Sequence, residues 1–160
     1  MGKELKTNAM RFLDKKGIDY KITAYECSEF IDGITVAEKL GQPPEETFKT
    51  LVAKGKSGSY YCFLIPVAEE LDLKKAAASA GEKSAELIPV KDITKVTGYV
   101  RGGCTPIGMK KQFFTVVHDS AQSLKSFYIS GGRIGTQIQL SPAELVRSIN
   151  GCFADIIRVS

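Results

Sequence analysis

Leu5, Ala9, Phe12 and Leu13 fall at i, i+4, i+7 and i+8, the spacing of one face of a helix. The pattern predicts an amphipathic helix over residues 3–16, stopped by Gly17. Tyr20, Ile22 and Ala24 then alternate with Lys21 and Thr23, which predicts a half-buried strand. Thr35-Val-Ala-Glu38 has the form of a capping box, so a short helix is expected from there to Gly41. Residues 48–53 have strand composition, residues 54–59 turn composition, and residues 60–67 form a continuous apolar run. Together they predict a hairpin whose second strand is central and buried on both faces.

Further along, Asp72 can cap a helix over residues 73–80, ended by Gly81. Apolar positions at 87–96 continue the core. Residues 113–117 predict a strand, Ser130 to Gly135 a second glycine turn, and Thr136 to Leu140 a cleanly alternating strand. Ser141-Pro142-Ala-Glu144 is a second capping box, with proline at the first helical position, where its missing N–H costs nothing. A helix is expected from there to about Asn150, then a last strand over residues 153–159. Strands follow one another through turns, without a regular strand–helix–strand rhythm. That favours an α+β class with a mixed, strongly curved sheet surrounded by helices.

Composition adds bounds. At 160 residues the chain is expected to form a single domain over 1–160, with 43% hydrophobic and 25% charged residues. No apolar run approaches the ~20 residues of a membrane span, and the charged N-terminus lacks a signal-peptide core. A cytoplasmic protein is the expectation. The net charge of +4 permits a nucleic-acid partner without requiring one, and the lysines are dispersed. Four separated cysteines and one histidine argue against a zinc site, and no metal or cofactor is expected. Cys62 and Cys152 lie in apolar segments and read as buried thiols.

Two stretches carry candidate chemistry. The run from Gly98 to Lys111 holds four glycines and a proline among apolar residues. Gly102-Gly103 reads as a turn with exposed amides, able to face a carbonyl, an oxyanion or a phosphate. A plain connection between strands is the alternative. Cys104 sits in the same loop, either as a wall residue or as a nucleophile partnered by His118. The second stretch is the strand Phe48 to Ala53, apolar on both faces and interrupted by Lys49. That lysine either lines a cavity or snorkels to solvent from the strand's start.

Taken together, Phe48-Lys49-Thr50-Leu51, the loop from Gly98 to Lys111, and Ser130-Gly-Gly-Arg-Ile-Gly135 resemble the YbaK/EbsC family. These are free-standing aminoacyl-tRNA deacylases related to the editing domain of bacterial prolyl-tRNA synthetase. The resemblance covers nearly the whole chain and implies a partly closed sheet. It implies a trans-editing enzyme that clears mischarged tRNA, chiefly Cys-tRNA(Pro), with prolyl-tRNA synthetase as a recruiting partner. Lys49 matches the family's essential lysine, and Gly102 and Gly103 are expected to stabilise a developing oxyanion. Tyr20, Phe30, Thr50, Cys104, Pro106, Ser130 and Gln137 are expected around the substrate. Some members carry an aspartate where this chain has Gln137, so a carboxylate base is missing there. For a cysteinyl ester, the family route lets the substrate's own thiol attack its carbonyl. Another small mischarged residue, such as Ala-tRNA(Pro), and a non-catalytic RNA-binding module are the competing expectations.

Overall fold

Period-two burial organises the larger sheet. In β3 (Tyr60–Pro66), Phe63 and Ile65 face one cluster of buried side chains while Leu64 faces another, and all three are fully buried. The computed structural model, which describes residues 6–26 and 32–159, places β3 at the centre of a five-stranded sheet ordered β4-β2-β3-β5-β8. β2 (Phe48–Gly55) runs antiparallel to β3, forming the expected hairpin. β5 (Phe114–His118) runs parallel to β3, and β8 (Cys152–Ala154) parallel to β5. β4 (Ala85–Leu87) covers only the far end of β2.

The remaining strands form a second, antiparallel sheet ordered β1-β7-β6, with β1 at Lys21–Ala24, β6 at Phe127–Arg133 and β7 at Thr136–Leu140. The α+β class stands, but the expected single curved sheet is divided in two. One parallel bridge, Thr47 to Tyr128, links the sheets. A bulge breaks the β6–β7 register between Ser130 and Arg133, so Ser130-Gly131-Gly132 lies within β6 as an irregular strand rather than a turn.

Helices cover both faces. α1 (Asn8–Lys16) packs Ala9, Met10 and Leu13 against Phe127, Ile129 and Ile138. Thr7 caps it and Gly17 ends it at φ 72°; Leu5 lies outside the described residues. α2 (Gly33–Leu40) starts earlier than the capping box suggested, because the Asp32 side chain accepts from the Thr35 amide. α3 (Leu73–Ser79), capped by Asp72, presses Ala76 and Ala77 onto Phe63 and Ile65. The apolar positions at 90–97 form a 3₁₀ turn and the short α4 (Ile93–Thr97). α5 (Pro142–Ser148) begins at its capping serine as expected. The last strand is shorter than expected, and Cys152 on it is half-buried rather than buried. Cys62 is fully buried.

The glycine loop is pinned at its far end. A Cβ on Gly108, at φ 65°, would lie 2.5 Å from the Asn8 carbonyl oxygen. Tyr99 Oη donates to the Ile107 carbonyl at 2.7 Å, tying the loop's two limbs together. Gly108→Ala therefore meets both a strained backbone and a clash with α1, and is expected to lower stability by about 1–3 kcal/mol. Gly81→Ala, at φ 75° with open space around it, should lose less. Urea unfolding of the two variants checks this; equal losses would mean the loop does not seat against α1.

Candidate active site at an open strand edge

β2 has two edges. One pairs with β3 along its whole length. The other pairs with β4 only at Ala53, Lys54 and Gly55. Just before the strand, Thr47 bridges to Tyr128. Between these two attachments the edge of residues 48–52 is left open, apart from Ile88 donating its amide to the Val52 carbonyl at 3.0 Å. A cavity of about 640 Å³ lies there, walled by Phe48 to Val52, Asp32 and the start of α2, Val90 and Ile93, Arg101, Gly102 and Cys104 of the glycine loop, and Ser130 and Gln137. Its size suits a small molecule or the end of a larger one.

Lys49 lines this cavity and is half-buried. Burial pulls its pKa below the ordinary lysine value, because the ammonium loses water; the carboxylates of Glu70 and Asp32 pull weakly the other way. No carboxylate of a described residue lies within 4 Å of it. Its ammonium is therefore not engaged in an ion pair with a carboxylate of a described residue. Thr50 lines the same wall, and its buried Oγ1 has no hydrogen-bond partner among the described residues. A buried hydroxyl in that state is available to a ligand.

Opposite stands the glycine loop. Gly102, at φ 86°, lines the cavity. Gly103 does not. Its amide donates to the Val100 carbonyl at 2.9 Å, and a Cβ there would come 2.8 Å from the Arg133 Cα. The pair of exposed amides expected from the sequence is thus one: Gly102 faces the cavity, while Gly103 is a glycine because the loop packs on the β6 bulge. Pro106 is buried behind the loop, where its carbonyl accepts from Gln112, and is absent from the cavity wall.

Ser130 and Gln137 face each other across β6 and β7 and both line the cavity. Gln137 is only 5% exposed. Its Oε1 accepts from Gln42 Nε2 at 2.6 Å, and Gln42 is held in turn by the Thr47 hydroxyl at 3.5 Å. With its oxygen engaged, the amide nitrogen is what Gln137 has left to offer. Gln42 and Thr47 were not foreseen, since neither lies in a glycine motif; the only hint was Gln42 at the break before Pro43-Pro44.

Tyr20 stands away from the cavity. Its hydroxyl donates to Asp14 at 3.0 Å and its ring packs on the α1 core. Phe30 lies outside the described residues. His118 and Cys104 are not partners: His118 Nδ1 accepts from the Ile156 amide at 3.3 Å, with Asp119 and Asp155 beside the ring. Burial pushes the Cys104 thiol up to about 11, so it is protonated at neutral pH and a poor nucleophile. Among the described residues no group of His, Cys, Asp and Glu could hold a metal ion, and no helix is long and apolar enough to cross a membrane.

Residues 34–148 match the aminoacyl-tRNA editing domain family. The chain belongs to that family. The match contains every lining residue of the cavity except Tyr25, Asp32 and Gly33. The editing domain chain is 43% identical over 152 residues to EbsC of Enterococcus faecalis (94% of this chain, 93% of that one), whose name carries a Cys-tRNA(Pro)/Cys-tRNA(Cys) deacylase assignment. It is 32% identical over 97 residues to the proline–tRNA ligase of Fervidobacterium nodosum, covering 60% of this chain and 16% of the ligase. Among solved structures, one described as a trans-editing enzyme for prolyl-tRNA synthetase superposes with a TM-score of 0.83 at 22% identity, covering 98% of this chain and all of that one. At that identity the likeness establishes the fold of this editing domain.

Iodoacetamide at pH 7.5 should leave Cys104 unmodified in the folded editing domain and label it after unfolding in guanidinium, as read by peptide mass spectrometry. Rapid labelling in the folded state would mean a thiolate, contrary to the burial that raises its pKa.

Proposed function

We propose that this chain is a cytoplasmic trans-editing deacylase that releases cysteine from mischarged Cys-tRNA(Pro), working beside prolyl-tRNA synthetase. The observation that carries the reading is that Lys49, a half-buried lysine, and Gly102 of the glycine loop line one cavity. EbsC, the relative similar over nearly its whole length, bears the matching assignment.

The chemistry asks little of the protein. An aminoacyl ester is already activated, so the site needs to hold the carbonyl against donors and align an attacking group. With Cys104 protonated and His118 engaged elsewhere, neither supplies that group. The substrate's own thiol does. Its sulfur bonds to the carbonyl carbon, the carbon–oxygen bond to the ribose breaks, and the thiol proton ends on the ribose hydroxyl. The product is a cyclic thiolactone. Gly102 N–H and the Gln137 amide offer donors to the negative oxygen as it forms, and Thr50 Oγ1 supplies a further contact. Lys49 stabilises negative charge on the carbonyl or ribose oxygen. Partial burial strengthens that interaction by keeping water away.

Lys49→Ala should reduce release of labelled cysteine from Cys-tRNA(Pro) by at least about 100-fold, the scale of losing one preorganised charge-stabilising group, with circular dichroism unchanged. Cys104→Ser should stay within a few-fold of wild type. The pH profile follows from the lysine. Because burial lowers its pKa, enzymatic release, corrected for spontaneous ester hydrolysis, should decline as pH rises at values below 10.5, the ordinary lysine pKa. Near-normal activity of the Lys49 variant would remove the cation from the mechanism. Loss of activity in the Cys104 variant would restore covalent catalysis by the protein.

A further inference from the structure

A second cavity, of about 900 Å³, lies on the other side of the wall made by α4 and the glycine loop. Ile93 of α4 faces the first cavity, while Lys95 and Val96 of the same helix line the second. Cys104 on one side and Phe113 and Tyr60 on the other belong to one buried cluster between them. The second cavity is a basic and aromatic groove. Lys95, Lys110 and Lys111 line it together with Tyr60, Phe113 and Phe114. Lys54 adds a fourth cation, with its ammonium 5.8 Å from the centre of the Tyr60 ring. Phe114 is 39% exposed, unusual for a phenylalanine on a paired strand.

Of the carboxylates on the flanking elements, Glu86 is the cross-strand partner of Lys54. Glu82 accepts from Tyr61 and Ser57, and Asp92 lies 3.7 Å from Lys95. Among the described residues, neither Lys110 nor Lys111 has a carboxylate within 4 Å. Among the described residues, the groove's lining contains no acidic side chain.

We propose that this groove docks the phosphate backbone of the tRNA acceptor arm. The inference rests on the deacylase reading of the first cavity. If the aminoacylated terminal nucleoside occupies that cavity, the preceding phosphates must run along an adjacent surface. One rim is apolar, with Leu87 and Val90 47% and 54% exposed, and cannot compensate a polyanion. The face behind α4 has ammonium groups at the edges and aromatic rings in the floor, the combination that holds nucleic-acid backbone and unpaired bases. Dispersed along the sequence at 54, 95, 110 and 111, these lysines gather only when the hairpin, α4 and the glycine loop come together.

The test uses the full chain carrying Lys110→Ala and Lys111→Ala, beside a charge-matched control with Lys15→Ala and Lys74→Ala. Three readouts are taken: KM and kcat on Cys-tRNA(Pro), the same on 3′-cysteinyl-adenosine, and the salt dependence of binding to uncharged tRNA. The groove variant is expected to raise KM for the tRNA about tenfold, the effect of roughly two weakened phosphate contacts, with kcat little changed. Its plot of log affinity against log salt should be shallower by about 1.5. Turnover of the short substrate and the control variant should match wild type. Unchanged tRNA KM and salt slope would overturn the proposal, whatever else the groove holds. So would an equal loss on the short substrate, which would place the lysines' effect in the first cavity or the fold. A wild type that binds tRNA through these lysines but releases no amino acid would refute the deacylase reading and leave the groove standing.

Discussion

The site depends on an incomplete strand pairing. β2 is anchored along β3, held at one end by the bridge to β6 and at the other by three residues of β4. What lies between is a strand edge that no strand of the described residues pairs with. Buried backbone groups demand partners, and an unpaired edge is a place where a ligand can supply them. Lys49, Thr50 and Leu51 stand along this gap. A longer β4 or a straight β6 would close it. The bulge at Ser130–Arg133 bends β6 and lets the glycine loop sit against it, with Gly103 on the Arg133 backbone.

From that constraint the electrostatics follow. A lysine in the middle of an apolar strand loses water and is correspondingly sensitive to any negative charge brought near it. Lys49, Gly102 and Gln137 line the cavity together, with the oxygen of Gln137 turned toward Gln42. Such a lining suits a reaction in which negative charge develops on oxygen and the attacking group comes with the substrate. Gln137 and Gln42 form a neutral amide pair. That pair needs no proton to keep its orientation, so this part of the site is insensitive to pH.

Much of this was legible in the sequence, where local chemistry determines local structure. The capping serine and proline of α5, the glycine stops of α1 and α2, and the buried alternation of β3 all carry their own signals. Lys49 was visible because a lysine in an apolar strand contradicts the pattern around it. What could not be read was set by distant contacts. Gly102 and Gly103 look alike in sequence, yet one faces the cavity and the other meets the backbone of Arg133, thirty residues on. Tyr20 follows a strand pattern, but Asp14 of the preceding helix takes its hydroxyl away from the cavity. Gln42 is significant only because the β6–β7 hairpin brings Gln137 to it.

The most direct test of the account is to map where a substrate mimic binds. Backbone and lysine side-chain resonances would be followed by nuclear magnetic resonance during titration with a non-hydrolysable analogue, cysteine joined to the adenosine ribose by an amide in place of the ester. The account predicts shifts concentrated at Lys49, Thr50, Gly102 and Gln137, with Tyr20 and His118 unmoved. Perturbation centred on His118, or anywhere that leaves the Lys49 signals unchanged at saturation, would contradict it.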